Sequence, residues 1–116
     1  MDYREQQKIA IDILDPTKAQ ELGFKYPQEV KRTISGYEIR HAYNKHKTDK
    51  IPLTLEHIEK WIYFVDKAQV QTLKKDTLKQ DVIVSEFRND DGIVIVVESI
   101  RKKTNELSFK TMYLKN

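Results

Sequence analysis

The 116-residue chain is 39% hydrophobic and 34% charged, with three glycines and three prolines, a composition that fits one folded domain and argues against long disordered tails. Cysteine is absent, which excludes a disulfide framework and a thiolate metal site. The longest unbroken apolar runs, residues 61–65 and 93–97, are five residues each, far below the roughly 20 that a membrane-spanning helix needs, and the Met1-Asp2-Tyr3-Arg4 start has no secretory signal pattern.

The net charge of +3 is unevenly spread. Residues 31–50 and 99–116 each carry +4, which leaves −5 on the remainder. Two basic segments on an otherwise acidic chain form a phosphate-binding face if folding joins them, and otherwise simply solvate the surface.

In chain order, residues 3–14 read as an amphipathic helix. Asp2 caps it, Glu5 has capping-box spacing, and Ile9, Ala10, Ile13 and Leu14 fall on one side. Asp15-Pro16 ends it, because a residue before proline avoids helical geometry. Residues 16–29 read as loop with room for one helical turn, and Val30 to Ile34 as a short strand. Ser35 and Glu38 have capping-box spacing for a second helix from Gly36 to about Lys47. On it Ile39, Ala42, Tyr43 and His46 share one face, while Tyr37, Arg40, His41 and Asn44 make a second, polar stripe. Thr54 caps a third helix over residues 55–65, and Val70 to Leu73 reads as a short edge strand.

From Asp81 the period becomes that of a strand. Val82 to Arg88, Ile93 to Ile100 and Leu107 to Leu114 are strands, separated by the turn Asn89-Asp90-Asp91-Gly92 and by a turn over residues 102–106. Ile93 to Ile100 is apolar enough for a central position. Neighbouring strands pair, so a meander is expected. The fold class is α+β, one domain over residues 1–116, with N-terminal helices packed on a C-terminal antiparallel meander.

Chemistry-bearing residues are few. Histidine titrates nearest neutrality and is the usual general acid or base. Of the three, His41 and His46 are five apart on one helix, so their rings diverge by about 140°. That spacing does not suit a metal pair, and no metal site is expected. Periodicity makes His46 a boundary histidine and His41 a surface one. In the last strand, strict alternation puts Leu107, Phe109, Thr111 and Tyr113 on one face and Ser108, Lys110, Met112 and Leu114 on the other. Thr111 and Tyr113 then present two hydroxyls side by side, although both residue types also simply favour sheets. There is no phosphate-binding glycine loop and no nucleophile elbow.

Taken in order, Ile39-Arg40-His41-Ala42-Tyr43-Asn44-Lys45-His46, then Pro52-Leu53-Thr54-Leu55-Glu56-His57-Ile58, then Val94-Ile95-Val96-Val97-Glu98 and Phe109-Lys110-Thr111-Met112-Tyr113, the chain resembles the phage-associated barnase–EndoU–colicin–RelE-like nuclease domains over residues 22–114. The resemblance rests on order and spacing. It implies helices followed by a four-stranded antiparallel sheet, and a metal-independent endoribonuclease with no cofactor that cleaves through the ribose 2′-OH. By residue matching it implies His41 as general base, His46 as acid or as the residue orienting His41, and Thr111 and Tyr113 as phosphate or base contacts. Arg40 and Lys45 would serve the RNA backbone, and Arg101 and Lys110 are candidates for charge stabilisation by residue type alone. Implied partners are RNA and an immunity, antitoxin or phage protein, with no membrane; the implied setting is cytoplasm, or a virion or delivery system. Catalytic residues vary widely among such domains, so the fold does not fix the mechanism. A non-catalytic RNA- or protein-binding module of the same fold, and a phage structural domain, are the competing readings.

Overall fold

Among residues 7–116, which the computed structural model describes, the first element is a strand, β1 (Lys8–Ile13). This corrects the expected helix over residues 3–14, whose proposed cap at Asp2 and Glu5 lies outside the described residues. The reason is packing. Ile9, Ile11 and Ile13 are 63%, 53% and 51% exposed, so no buried apolar stripe holds a helix. The β-branched segment instead pairs β1 antiparallel with β2 (Lys31–Ser35), with a register irregularity between Ala10 and Asp12.

The fold continues with α1 (Pro16–Glu21), a 3-10 turn at Pro27–Glu29, β2, α2 (Gly36–His46), α3 (Leu55–Glu59), α4 (Trp61–Asp66), β3 (Val70–Lys75), β4 (Asp81–Asn89), β5 (Gly92–Arg101) and β6 (Glu106–Lys115). The expected order of helices first and strands second is therefore corrected as well, since strands bracket the helices. The expected third helix is two. It breaks at Lys60, where φ −97° and ψ 15° leave helical geometry. Phe64 and Val65 can then turn inward with Trp61.

All six strands form one sheet in the order β1-β2-β6-β5-β4-β3. The last four are an antiparallel meander, and β2 joins β6 in parallel, which makes the sheet mixed. β5 is interior, as its apolar sequence requires. The β4–β5 hairpin has a two-residue loop, with Asn89 opposite Gly92. Gly92 has φ +141°, and a Cβ there would meet the Lys115 carbonyl at 2.6 Å, so only glycine fits.

The helices pack on one face of the sheet. Ala42, Ile58, Trp61, Phe64 and Val65 join Val94, Val96, Phe109 and Met112 in the larger core cluster. Ala19 joins Ile83 and Leu107 in the smaller. Burying each of the large side chains among these stabilises the fold by about 1.5–3 kcal/mol.

β6 departs from simple alternation. Val97 faces Thr111 and Glu98 faces Phe109, so Lys110 is an extra residue, a β-bulge. Ahead of the bulge, Leu107 and Phe109 point to the helices; beyond it, Met112 and Leu114 do. The expected face with Leu107, Phe109, Thr111 and Tyr113 together is thus corrected. Ser108, Lys110, Thr111 and Tyr113 share the opposite, helix-free face, and Ser108 Oγ meets Thr33 Oγ1 there at 2.7 Å.

A candidate active face on the sheet

By register, the helix-free face also receives Lys8 from β1, Thr33 from β2, Arg101 from β5 and Glu106 from β6. α2 follows β2 directly and flanks β6. Its N-cap is Ser35, whose side chain accepts from the Glu38 backbone N–H at 3.2 Å. Glu38 had capping-box spacing, yet its carboxylate takes its electrostatic surroundings from the sheet. Burial pushes this carboxyl above the ordinary carboxylate range, against the opposing pull of His41, Lys110, Lys8 and Arg101.

These residues form one charged cluster. Lys8 Nζ lies 3.7 Å from Glu106 Oε2. Burial lowers the Lys8 pKa, Glu106 opposes that, and Arg101 reinforces it. Burial would raise Glu106, but the Thr104 hydroxyl, Lys8, the Thr33 hydroxyl and Arg101 together hold it below its usual range. Lys110 is bonded to Asp76 in the β3–β4 turn. That bond comes first, and the Gln80 backbone N–H second, in lowering the Asp76 pKa. The other Asp76 oxygen accepts from the backbone N–H groups of Leu78 and Gln80.

A second group lies further along β6. His46 stacks on Tyr113 with ring centroids 5.2 Å apart, and its Nδ1 meets Asp49 Oδ2 at 2.6 Å. Between the two groups is Thr111, whose Oγ1 is buried and has no hydrogen-bond partner in the protein. His41 stacks on Tyr37 at 5.9 Å. The two imidazoles therefore keep separate partners, as the five-residue spacing requires.

Of the residues singled out from sequence, the fold brings His41, Arg101 and Lys110 into one charged neighbourhood and His46 and Tyr113 into one stack, with Thr111 between. Lys45 is exposed on α2, seven residues from Glu38 on the same helix flank. Arg40 is not on this face. It lines a shallow depression with Ile39, Tyr43 and Leu55. His57 serves the fold instead. Its Nδ1 accepts from the Thr54 backbone N–H at 3.0 Å and closes the capping box of α3. Burial lowers its pKa, Glu56 opposing.

Sequence reasoning missed Glu38, Lys8 and Asp76. Glu38 was readable as an i, i+3 neighbour of His41, but its cap spacing offered a sufficient explanation. Lys8 fell in a wrongly assigned helix. Asp76 lay in an unassigned polar stretch. Among the described residues, no group of three or more His, Cys, Asp or Glu side chains is arranged to hold a metal ion, and no helix is long and apolar enough to cross a membrane.

The arrangement can do proton transfer beside a held anion. A raised carboxyl and an imidazole sit next to lysine and arginine side chains, which favour a phosphate, and a stacked ring pair lies further along the same strand. Comparison with known proteins bears on this. The family model described as phage-Barnase-EndoU-ColicinE5/D-RelE like nuclease3 matches residues 8–116. No curated protein and no solved structure matches the chain.

Proposed function

The chain belongs to the phage-Barnase-EndoU-ColicinE5/D-RelE like nuclease family, and we propose that it is a metal-independent endoribonuclease acting on the helix-free face. What supports this reading is that Lys8, Arg101 and Lys110 share one sheet face by register, and that they and His41 all act electrostatically on the half-buried Glu38 carboxyl.

In the proposed reaction Glu38 takes the proton of a ribose 2′-OH. The freed oxygen attacks the adjacent phosphorus, a pentacoordinate phosphorane forms, and the 5′-oxygen leaves with a proton from His41. The products are a 2′,3′-cyclic phosphate and a 5′-OH. Glu38 suits the base role better than His41, because its carboxyl is raised by burial and faces the cations. His41, one helical turn further on, then serves as the acid. Lys110 and Arg101 hold the phosphorane charge, and Lys45 contacts the chain beyond. His46, fixed by Asp49 and stacked on Tyr113, offers a platform for a neighbouring base, with the Thr111 hydroxyl as a donor or acceptor to it. Positive side chains supply the charge that a metal supplies elsewhere, and the absence of a 2′-OH protects DNA.

Cleavage of labelled RNA in EDTA by the wild-type protein and by the variants Glu38→Gln and His41→Ala tests this. Cleavage with cyclic-phosphate ends, lost in both variants, supports the assignment. Binding without cleavage in the wild type makes the domain a binding module of the same fold.

A further inference from the structure

The helix-covered face holds a feature that RNA cleavage does not use. A cavity of about 420 Å³ opens between β1, α1, α4 and the sheet, with Arg32 and Glu98 in its wall. Both side chains are almost fully buried, at 3% and 0% exposed. Arg32 Nη1 donates to Asp66 Oδ1 at 2.8 Å, and Trp61 Nε1 donates to Glu98 Oε2 at 3.3 Å. The Arg32 Nη2 to Glu98 Oε2 separation is 3.8 Å, too long for a hydrogen bond. Arg32 Nε and Nη2 and Glu98 Oε1 are buried without a hydrogen-bond partner in the protein. Each buried, unpaired polar atom of this kind costs about 1–3 kcal/mol.

The cavity selects its ligand by elimination. Even without Glu98, Asp12, Asp15 and Asp66 outnumber Lys18 and Arg32 in its wall, so an anion is disfavoured. A cation leaves the lone Arg32 donors unpaired and is repelled by them. A neutral molecule with a carbonyl beside an N–H meets both needs, its carbonyl accepting from the Arg32 fork and its N–H donating to Glu98. Leu14, Leu22 and Ile83 add aliphatic wall for the faces of a flat ring. Asp66 is the solvent-exposed side of the wall: its side chain is 55% exposed and pairs with the buried guanidinium.

We propose that this cavity is a binding site for an uncharged lactam ring of the nucleobase class. It lies on the opposite side of the sheet from Lys110, and the two are joined through one ladder pair, because Glu98 faces Phe109, the residue before Lys110. The ring belongs either to a free nucleoside or to a nucleotide within RNA.

The experiment is a titration of the full 15N-labelled chain with uridine, inosine, 3-methyluridine and inorganic phosphate. Reporters are the Arg32 Nε–H and the Trp61 indole N–H resonances. Saturable shifts at both with uridine or inosine are expected. Binding of 3-methyluridine, which lacks the ring N–H, is expected to be at least about tenfold weaker, and phosphate is expected to be silent at these reporters. Glu98→Gln, which keeps shape and removes an acceptor, abolishes the shifts while the remaining spectrum shows a folded chain. A parallel titration with oligouridylate separates the two sources: an RNA nucleotide moves the reporters together with Lys110, a free nucleoside moves them alone. No shift at millimolar nucleoside, equal binding of 3-methyluridine, or shifts confined to Lys110, Thr111 and Tyr113 would each overturn the proposal. The readout is binding by the wild-type chain, so it stands or falls separately from RNA cleavage.

Discussion

The ammonium of Lys110 is held by the carboxylate of Asp76, 34 residues earlier in the chain. In the proposed RNA complex a phosphate would have to displace Asp76 from Lys110, so the β3–β4 turn would compete with RNA for this cation. Replacing Asp76 by Asn removes the competing charge. RNA affinity at low salt should rise several-fold, and the slope of log K against log salt should steepen by about one unit, one more phosphate neutralised. Fluorescence anisotropy across a salt series measures both. A weaker complex would show instead that Asp76 positions Lys110.

Glu38 as the base gives a definite pH dependence. Its carboxyl is raised above the ordinary range, chiefly by burial. The deprotonated form is active, so kcat/KM should climb with pH through a point above the usual carboxylate pKa. Glu38→Gln should lower the rate about 10²–10⁴-fold and remove that acidic limb. Should the limb survive the substitution, the base is another group.

Tyr113 and His46 separate stacking from hydroxyl chemistry. Tyr113→Phe keeps the ring pair at 5.2 Å and should leave single-stranded RNA affinity within about twofold. Tyr113→Ala removes the platform and should weaken binding by about 1–3 kcal/mol. A direct comparison of dissociation constants decides it. An equal loss in both variants would assign the contribution to the hydroxyl.

Stability should fall as pH rises through neutrality. Burial raises Glu98 from an ordinary 4.5 to about 7, with Arg32 opposing. The folded state then keeps a proton that the unfolded state releases between those values. The contribution is fully present below about pH 4.5 and is lost as pH passes through about 7. Its size is on the order of 3 kcal/mol. Urea unfolding from pH 4.5 to 8 should show this slope in the wild type and a flatter one in Glu98→Gln.

Phe109 ties β6 to the helices. It is 1% exposed and packs edge-on against Trp61 at 5.8 Å. Phe109→Ala should cost about 3–5 kcal/mol, read as a lower urea midpoint.

The extent to which this fold was legible follows from what each segment signals locally. The meander strands, the edge strand at Val70 and helix α2 all carry period and punctuation in their own residues. β1 does not. The spacing of Ile9, Ala10, Ile13 and Leu14 admits a helix, and only pairing with β2, 18 to 27 residues away, makes it a strand. The parallel β2–β6 contact depends on partners some 75 residues apart, beyond any local reading. The candidate site follows the same division. His41, His46, Thr111 and Tyr113 stand out by residue type and spacing. Glu38 and Lys8 gain their significance only when three strands and a helix bring them together.

Lys110 has one further consequence. The ladder on both sides of it is complete, since Phe109 faces Glu98 and Thr111 faces Val97. β5 and β6 would pair continuously without it. The strand therefore carries this cation as an insertion, and loss of a single codon would yield a chain with the same inward and outward side chains but without the Lys110 ammonium on the helix-free face. Folding and charge placement are here written in separable letters of the same ten-residue word.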